Sequence, residues 1–438
     1  MKTYSSVGVQ SPKTLIPTKQ VAYEKWAVVA CDQFTSQPEY WRTVQTIVEN
    51  APSTYYLTLP EVYLGTDFEQ DHASLINPKM RTYLDSGIFR EIDGVIYVER
   101  HFENLIRKGL LFALDLEQYE YSHNSHSLIR ATEGTIIDRL PPRVKIRKQA
   151  RIEIPHILVL IDDPNMTVID PIMGSGDGVK PLYDFELMQN SGRIKGFQIT
   201  SPALEENIIH TLNELKSQEM QSKKYNTPLD TPPLLFAVGD GNHSLATAKA
   251  IWEENKNSVP DNHPSRYALV EIVNIHDESL KFEPIHRLVL GAKDDWLNKM
   301  RKYFGESLIL EKNVDFLSLI NKVNQNQSSN QIFGAFDEKG FWTGEIQNTD
   351  HTLTVGSIQN CLDDLIANNH IQDIDYIHGD EAILKLGTGN GKSGIYLPTI
   401  RKDSFFESVI KEGALPRKTF SMGKAHQKRF YLECRKIK

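Results

Sequence analysis

Hydrophobic positions fall into short runs of two kinds along this chain. Trp26-Ala-Val-Val-Ala30 reads as a buried strand running into the polar turn Cys31–Ser36. From Pro38 to about Glu49 the spacing of Trp41, Val44 and Val48 predicts a helix, with Pro and Glu in its first turn. Tyr55–Leu59 reads as a second strand. Gly94–Val98 and Gly109–Leu114 read as paired strands, and Leu128–Thr135 as another after a Ser/His/Asn loop. The near-continuous run Ile157–Ile161 predicts a central strand closed by Asp162-Asp-Pro164. Pro202 to about Lys223 is helical in pattern. Lys223–Pro233 and the polar tract Asn324–Gln331 read as loops. Gln331–Phe336 and Phe341–Glu345 flank a turn and predict a hairpin. The mixture predicts an α+β fold, a mixed sheet with helices.

The sharpest local pattern is Leu234–Val238, then Gly239-Asp-Gly-Asn-His-Ser244, then Leu245–Glu254. It predicts a strand, a tight turn and a helix whose buried face holds Leu245, Ala248 and Trp252. Gly239 and Gly241 permit positive φ and close approach of a ligand to the backbone. Asp240 and Asn242 are candidate caps. A helix start with unpaired N–H groups is an anion site. Asp240 offers a carboxylate for Mg²⁺ or for a substrate proton, and His243 a group that donates to phosphate or moves a proton. The competing reading of the turn is a capped connection without chemistry.

Composition narrows the field. The chain has 438 residues, with 49 Lys and Arg against 57 Asp and Glu, a net charge of −8. That balance argues against wholesale coating of nucleic acid. Three scattered cysteines, Cys31, Cys361 and Cys434, point to neither a disulfide framework nor a CxxC metal site, and fit a reducing, cytoplasmic setting. No apolar run reaches the ~18 residues of a membrane span, and the first residues lack the apolar stretch of a secretory signal. Composition shifts suggest three regions: 1–222, 223–295 with the glycine turn, and 296–438.

Gly239–Ala248 resembles the D-G-H-H-R-x-x-x-A signature of an uncharacterised bacterial and archaeal family, DUF1015. Further blocks of the same resemblance are Trp26–Trp41, Ile129–Thr135, Pro284–Arg287 and Leu415–Gly423. Through its turn the family is similar to the ParB/sulfiredoxin superfamily, whose members bind nucleotide phosphates and include a free-serine phosphotransferase. The resemblance implies a ParB/sulfiredoxin-like core with an added C-terminal α/β region, and a nucleotide (ATP or ADP) with Mg²⁺ as cofactors. It implies phosphoryl transfer to a small hydroxyl-bearing metabolite such as serine, or else a nucleotide-binding switch or scaffold without turnover.

The chain departs from the signature: Asn242 stands for the first His, and Ser244 for the Arg that would grip phosphate through a bidentate fork. Another cation must then serve, or Mg²⁺ must carry more of the charge. Arg130 is the first candidate, with Glu133 as base or metal ligand, against a plain Arg–Glu pair. His286 and Arg287 are the second, against a buried His beside a surface Arg, and Arg417-Lys418 the third. Asp32, at a strand end, is a candidate base or substrate holder, against a helix cap.

Other signals carry less. Gly387–Ser393 resembles a phosphate loop, but Leu386 occupies its first glycine position, so it reads as a turn between strands. His123 and His126 lack a carboxylate or thiol at ligand spacing, and Cys31 lacks a basic neighbour in sequence. The segment Lys424–Lys438 is basic, and Phe430–Leu432 within it reads as a strand.

Overall fold

The computed structural model describes residues 1–123, 125–134, 140–293, 295–325, 330–349, 351–389 and 391–438, without the side chains of 140–142 and 177. The chain forms two compact units. The first joins Met1–Leu280 to Gly423–Lys438, and the second is Lys281–Met422.

The first unit is organised by an eleven-stranded mixed sheet. Its main path runs Val179–Glu186, Arg193–Ile199, Ile96–Phe102, Leu105–Asp115, Tyr267–Asn274, Leu158–Ile161, Phe236–Asp240, Ile129–Ala131, Tyr119–Glu120. Ile96–Phe102 and Leu105–Asp115 form the antiparallel pair that the sequence suggests. Leu158–Ile161 is central, parallel to Tyr267–Asn274 and antiparallel to Phe236–Asp240. Side chains alternate between two apolar layers, as the two-residue period of strands requires. Leu110, Phe112, Ala268 and Val270 enter one layer, and Leu111, Leu269 and Val98 the other.

The second layer is closed by the segment 423–438. Phe430–Tyr431 pairs with Val28–Val29, and Arg435–Lys436 with Ile152–Glu153. This segment brings its basic residues inward. Arg429 Nε lies 2.7 Å from Glu271 Oε2, and its Nη2 lies 2.7 Å from Glu433 Oε2. Arg435 Nε donates to Glu153 Oε1 at 2.7 Å, while Arg147 Nη2 donates to Glu153 Oε2 at 2.6 Å. Gly109 leaves room for one of these carboxylates, since a Cβ there would stand 2.5 Å from Glu271 Oε1.

The second unit holds a seven-stranded sheet. Gln331–Asp337 and Gly340–Ile346 form the expected hairpin, with Asp337 opposite Gly340. The helices Phe316–Asn324 and Asp380–Gly387 pack Phe316, Leu319 and Ile383 onto Phe336 and Tyr396.

The α+β class stands, while several elements differ from the sequence reading. The helix Pro38–Val48 buries Trp41, Val44 and Val48 as its spacing demands. Trp26, however, ends a short helix, Tyr23–Trp26, and the strand is confined to Val28–Val29. Tyr55 lies in a 3-10 turn, Thr54–Leu57, because the Ser53 hydroxyl accepts the Tyr55 N–H at 3.2 Å. The helix from Pro202 stops at Leu215, and Ser217 starts a second one, Gln218–Tyr225. Gly387 closes a helix, so the Gly387–Ser393 stretch links a helix to the strand Lys392–Tyr396 and does not join two strands. Thr135, residues 326–329 and Asn390 fall outside the described residues. The three expected regions do not coincide with the two units, because 158–161, 236–240 and 267–274 share one sheet. No helix among the described residues is long and apolar enough to cross a membrane.

Removing one partner of a buried ion pair strands the other charge, a loss of about 3–5 kcal/mol. Arg435→Met should lower stability by that amount in urea unfolding followed by near-ultraviolet circular dichroism. A change below about 1 kcal/mol would show that Glu153 is neutralised by Arg147 alone.

Candidate functional site

The glycine turn joins the strand Phe236–Asp240 to the helix Asn242–Asn255. Its two glycines do different work. Gly241 is left-handed (φ +82°) and fills the N-cap position; a Cβ on it would approach Ile157 Cγ1 to 2.9 Å. Gly239 is part of the strand, not a positive-φ residue. Leu158 pairs with Asp240 and Val159 with Val238, so Gly239 is an extra residue in the ladder. Such a bulge reverses the facing of the residues after it. It turns Asp240 away from the layer that holds Val238.

Neither expected cap caps the helix, which has no side-chain cap. Asp240 Oδ1 accepts the Gly241 N–H at 3.0 Å. Asn242 ties the turn to the neighbouring strand end: its Oδ1 accepts the Thr132 N–H at 3.3 Å, and its Nδ2 lies 3.5 Å from Val238 O. Asn242, His243 and Ser244 are half-buried. The Thr247 hydroxyl donates to the His243 carbonyl at 2.7 Å. Glu133, also half-buried, follows Thr132 on the parallel strand Ile129–Ala131, where Ala131 is level with Val238.

The cation at this corner is Lys428. Its Nζ lies 3.2 Å from Asp240 Oδ2, and the residue is 6% exposed. It precedes the strand Phe430–Tyr431, whose partner Val28–Val29 leads directly to Asp32. Asp32 is therefore drawn into the same corner. Burial alone would raise its pKa, but His156, the Gln33 amide, Arg143 and Lys428 together hold it below 3.8. Gln33 Nε2 donates to Asp32 Oδ1 at 3.0 Å, and His156 Nε2 stands 3.7 Å from Asp32 Oδ2. His156 immediately precedes Ile157, the residue that seats Gly241. Arg143 pairs with Glu61 and faces both Cys31 and Asp32. The Cys31 thiol is pushed up to about 12 by burial and by Asp32. It is not a thiolate nucleophile.

Arg130, His286 and Arg287 are committed elsewhere, and Arg417 and Lys418 are exposed on the second unit. Arg130 Nε donates to Ser127 O and its Nη2 to Pro232 O, both at 2.8 Å. Burial pushes it down to about 10. Its guanidinium clamps two loops. His286 and Arg287 belong to the second unit. His286 Nδ1 accepts the Leu397 N–H at 3.1 Å, with Asp380 Oδ1 3.5 Å from its Nε2. Arg287 Nε donates to Gln359 Oε1 at 2.9 Å, and Nη1 to Ile285 O at 2.7 Å. The structure thus gathers Asp240, Asp32 and the turn Gly239–Ser244 around Lys428, with Glu133 on the adjoining strand end. Lys428, His156 and Arg143 were missed in the sequence. Among the described residues no group of three or more His, Cys, Asp or Glu is placed to hold a metal ion.

Comparison with known proteins covers the blocks Trp26–Trp41, Ile129–Thr135, Gly239–Ala248 and Pro284–Arg287, while Leu415–Gly423 lies beyond the matched residues. The profile of the family described as "Protein of unknown function (DUF1015)" matches residues 15–365. The chain belongs to the DUF1015 family. No curated protein matches its sequence. Among solved structures, a free serine kinase in complex with AMP is 9% identical over 75% of this chain and 92% of its own, with a TM-score of 0.38. A conserved hypothetical protein from Pyrococcus furiosus is 11% identical over 74% of this chain and 90% of its own, at 0.35. A C-terminally truncated SbnI from Staphylococcus aureus is 8% identical over 72% of this chain and 82% of its own, at 0.36.

The geometry gives two expected outcomes. Gly241→Ala forces an alanine into the left-handed region against Ile157, and should lower stability by about 1–2 kcal/mol or more in urea unfolding. The second concerns acid. Asp32 has a lowered folded pKa, so its contribution to stability is complete above about pH 4 and is lost as pH falls through the folded value. Asp32→Asn should flatten the decline of unfolding free energy as pH falls below about 4; an unchanged slope would contradict the assignment.

Proposed function

We propose that this DUF1015 protein is a nucleotide-dependent phosphotransferase acting on a small hydroxyl-bearing metabolite. The observation that carries the reading is the cation and the open helix start at one corner: Lys428 on Asp240, beside a first helical turn without a side-chain cap. Phosphoryl transfer requires mainly positioning and charge neutralisation. In this reading the Asn242 N–H at the helix start and the Lys428 ammonium hold phosphate oxygens, and the Ser244 hydroxyl and His243 add donors, while the Gly241 and Ser244 N–H groups stay bonded within the turn. Lys428 takes the place of the arginine that Ser244 replaces.

The acceptor oxygen attacks the terminal phosphorus, the bond to the leaving phosphate breaks, and the hydroxyl proton passes to a carboxylate. Asp32 is that carboxylate, with Glu133 the other candidate on the adjoining strand end. Mg²⁺ usually takes one or two protein carboxylates and completes its shell with phosphate oxygens and water. Asp240 with Glu133 nearby suits that pattern better than a cage made by the protein alone. When bound, the metal would neutralise charge on the phosphates.

The test is calorimetry with ADP and ATP, with and without Mg²⁺, followed by a search for phosphoserine and other phosphorylated products. The wild-type protein should bind nucleotide, and Lys428→Ala should weaken binding at least about tenfold. Asp240→Asn and His243→Ala should lower turnover by about 10²-fold or more while the protein stays folded. Failure of both nucleotides to bind would remove the proposal. Binding without turnover would favour a nucleotide switch.

A further inference from the structure

The buried pair Asp32–His156 has a gap of a particular size. His156 is 3% exposed, and its Nε2 has no hydrogen-bond partner among the described residues. That nitrogen lies 3.7 Å from Asp32 Oδ2, beyond direct hydrogen bonding. An unsatisfied polar atom at such burial is costly unless something completes it. The ring is not free to turn and recover a bond. Its Nδ1 lies 2.9 Å from the Tyr431 hydroxyl, and the two rings pack edge to face at 5.3 Å. Tyr431 is itself fixed: its hydroxyl accepts the Cys31 N–H at 3.3 Å and lies 3.1 Å from Cys31 Sγ.

Asp32 is restrained from the other side by Gln33, which occupies Oδ1 and leaves Oδ2 turned to His156. The side chain of Asp32 remains a quarter exposed, so the gap is approachable. A single hydroxyl oxygen about 2.8 Å from both atoms would sit beside the pair, about 2 Å off the line that joins them. A hydroxyl is suited to it because it donates to the carboxylate while it accepts from a ring N–H. The charges around the gap are Arg143 with Glu61, and Lys428 with Asp240.

We infer that the Asp32 Oδ2–His156 Nε2 gap is a binding subsite for the hydroxyl group of a compact alcohol, with His156 as its positioning residue. As the place of the phosphate acceptor it rests on the phosphotransfer reading above; as a hydroxyl subsite it is read from this pair alone. Asp32 takes the hydroxyl proton, and His156 fixes where the oxygen lies. The Tyr431 hydroxyl keeps the ring in register, so this subsite depends on the returning segment 423–438.

The probes are serine and glycerol, with alanine as the control that lacks a hydroxyl. The full-length protein labelled with ¹⁵N-histidine is titrated with each, and the His156 ring resonances are assigned by their loss in His156→Gln. Serine or glycerol should shift the His156 Nε2 signal, and alanine should not. Calorimetry should show affinity for the hydroxylated probe falling at least about tenfold in Asp32→Ala and His156→Ala, and within about threefold of wild type in His156→Gln, whose amide still donates. Tyr431→Phe should retain the fold and weaken the probe by an intermediate factor. No shift with serine or glycerol, or equal shifts with alanine, would overturn the subsite. ADP binding in the same samples separates the two readings. A shifted His156 with neither ADP nor ATP bound leaves the hydroxyl subsite standing and defeats the phosphotransferase, while nucleotide binding without a shift does the reverse.

Discussion

The first unit depends on a set of cations carried inward by its second stretch of chain. Arg429 bridges Glu271 and Glu433, Arg435 meets Glu153, and Lys428 meets Asp240. Charges this deep are costly to desolvate and persist only where the partners are matched closely. The matching fixes the register of the returning strands Phe430–Tyr431 and Arg435–Lys436. A slip of one residue would reverse their faces and leave arginines against an apolar layer. The same register places Lys428 at the glycine turn and Tyr431 against His156. Structure and candidate chemistry are therefore set by one group of ion pairs.

Local pattern disclosed what local forces decide. The helix Pro38–Val48, the central run Leu158–Ile161, the hairpin Gln331–Ile346 and the strand–turn–helix around Gly241 are all legible in spacing and turn residues. Tyr55 was not, because the Ser53 side chain wins its N–H and curls the chain where aromatic composition favours a strand. Gly239 looked like a second left-handed turn residue. Only the pairing with Leu158–Val159 reveals it as the inserted residue that aims Asp240.

The candidate site was half legible for a similar reason. Asp240, Asp32 and the turn stood out because each sits beside a strand end with recognisable chemistry. Lys428 stood in a basic stretch that resembles an ordinary solvated surface, and its burial follows from sheet pairing nearly 400 residues away in sequence. His156 was hidden behind Pro155 in a segment without a motif. Arg130 misled because adjacency in sequence to Glu133 suggested a functional pair, whereas its guanidinium reaches back to carbonyls of Ser127 and Pro232.

The division of the first unit between Met1–Leu280 and Gly423–Lys438 has a consequence for biosynthesis. The ribosome delivers the whole of the second unit before it delivers Lys428. Until then, Glu153 lacks Arg435 and Glu271 lacks Arg429, and the strand Val28–Val29 lacks its partner. The nascent first unit must wait, open along that edge, while about 140 further residues are translated, so premature termination in the second unit would leave Val28–Val29 without its partner strand and Asp240 without Lys428.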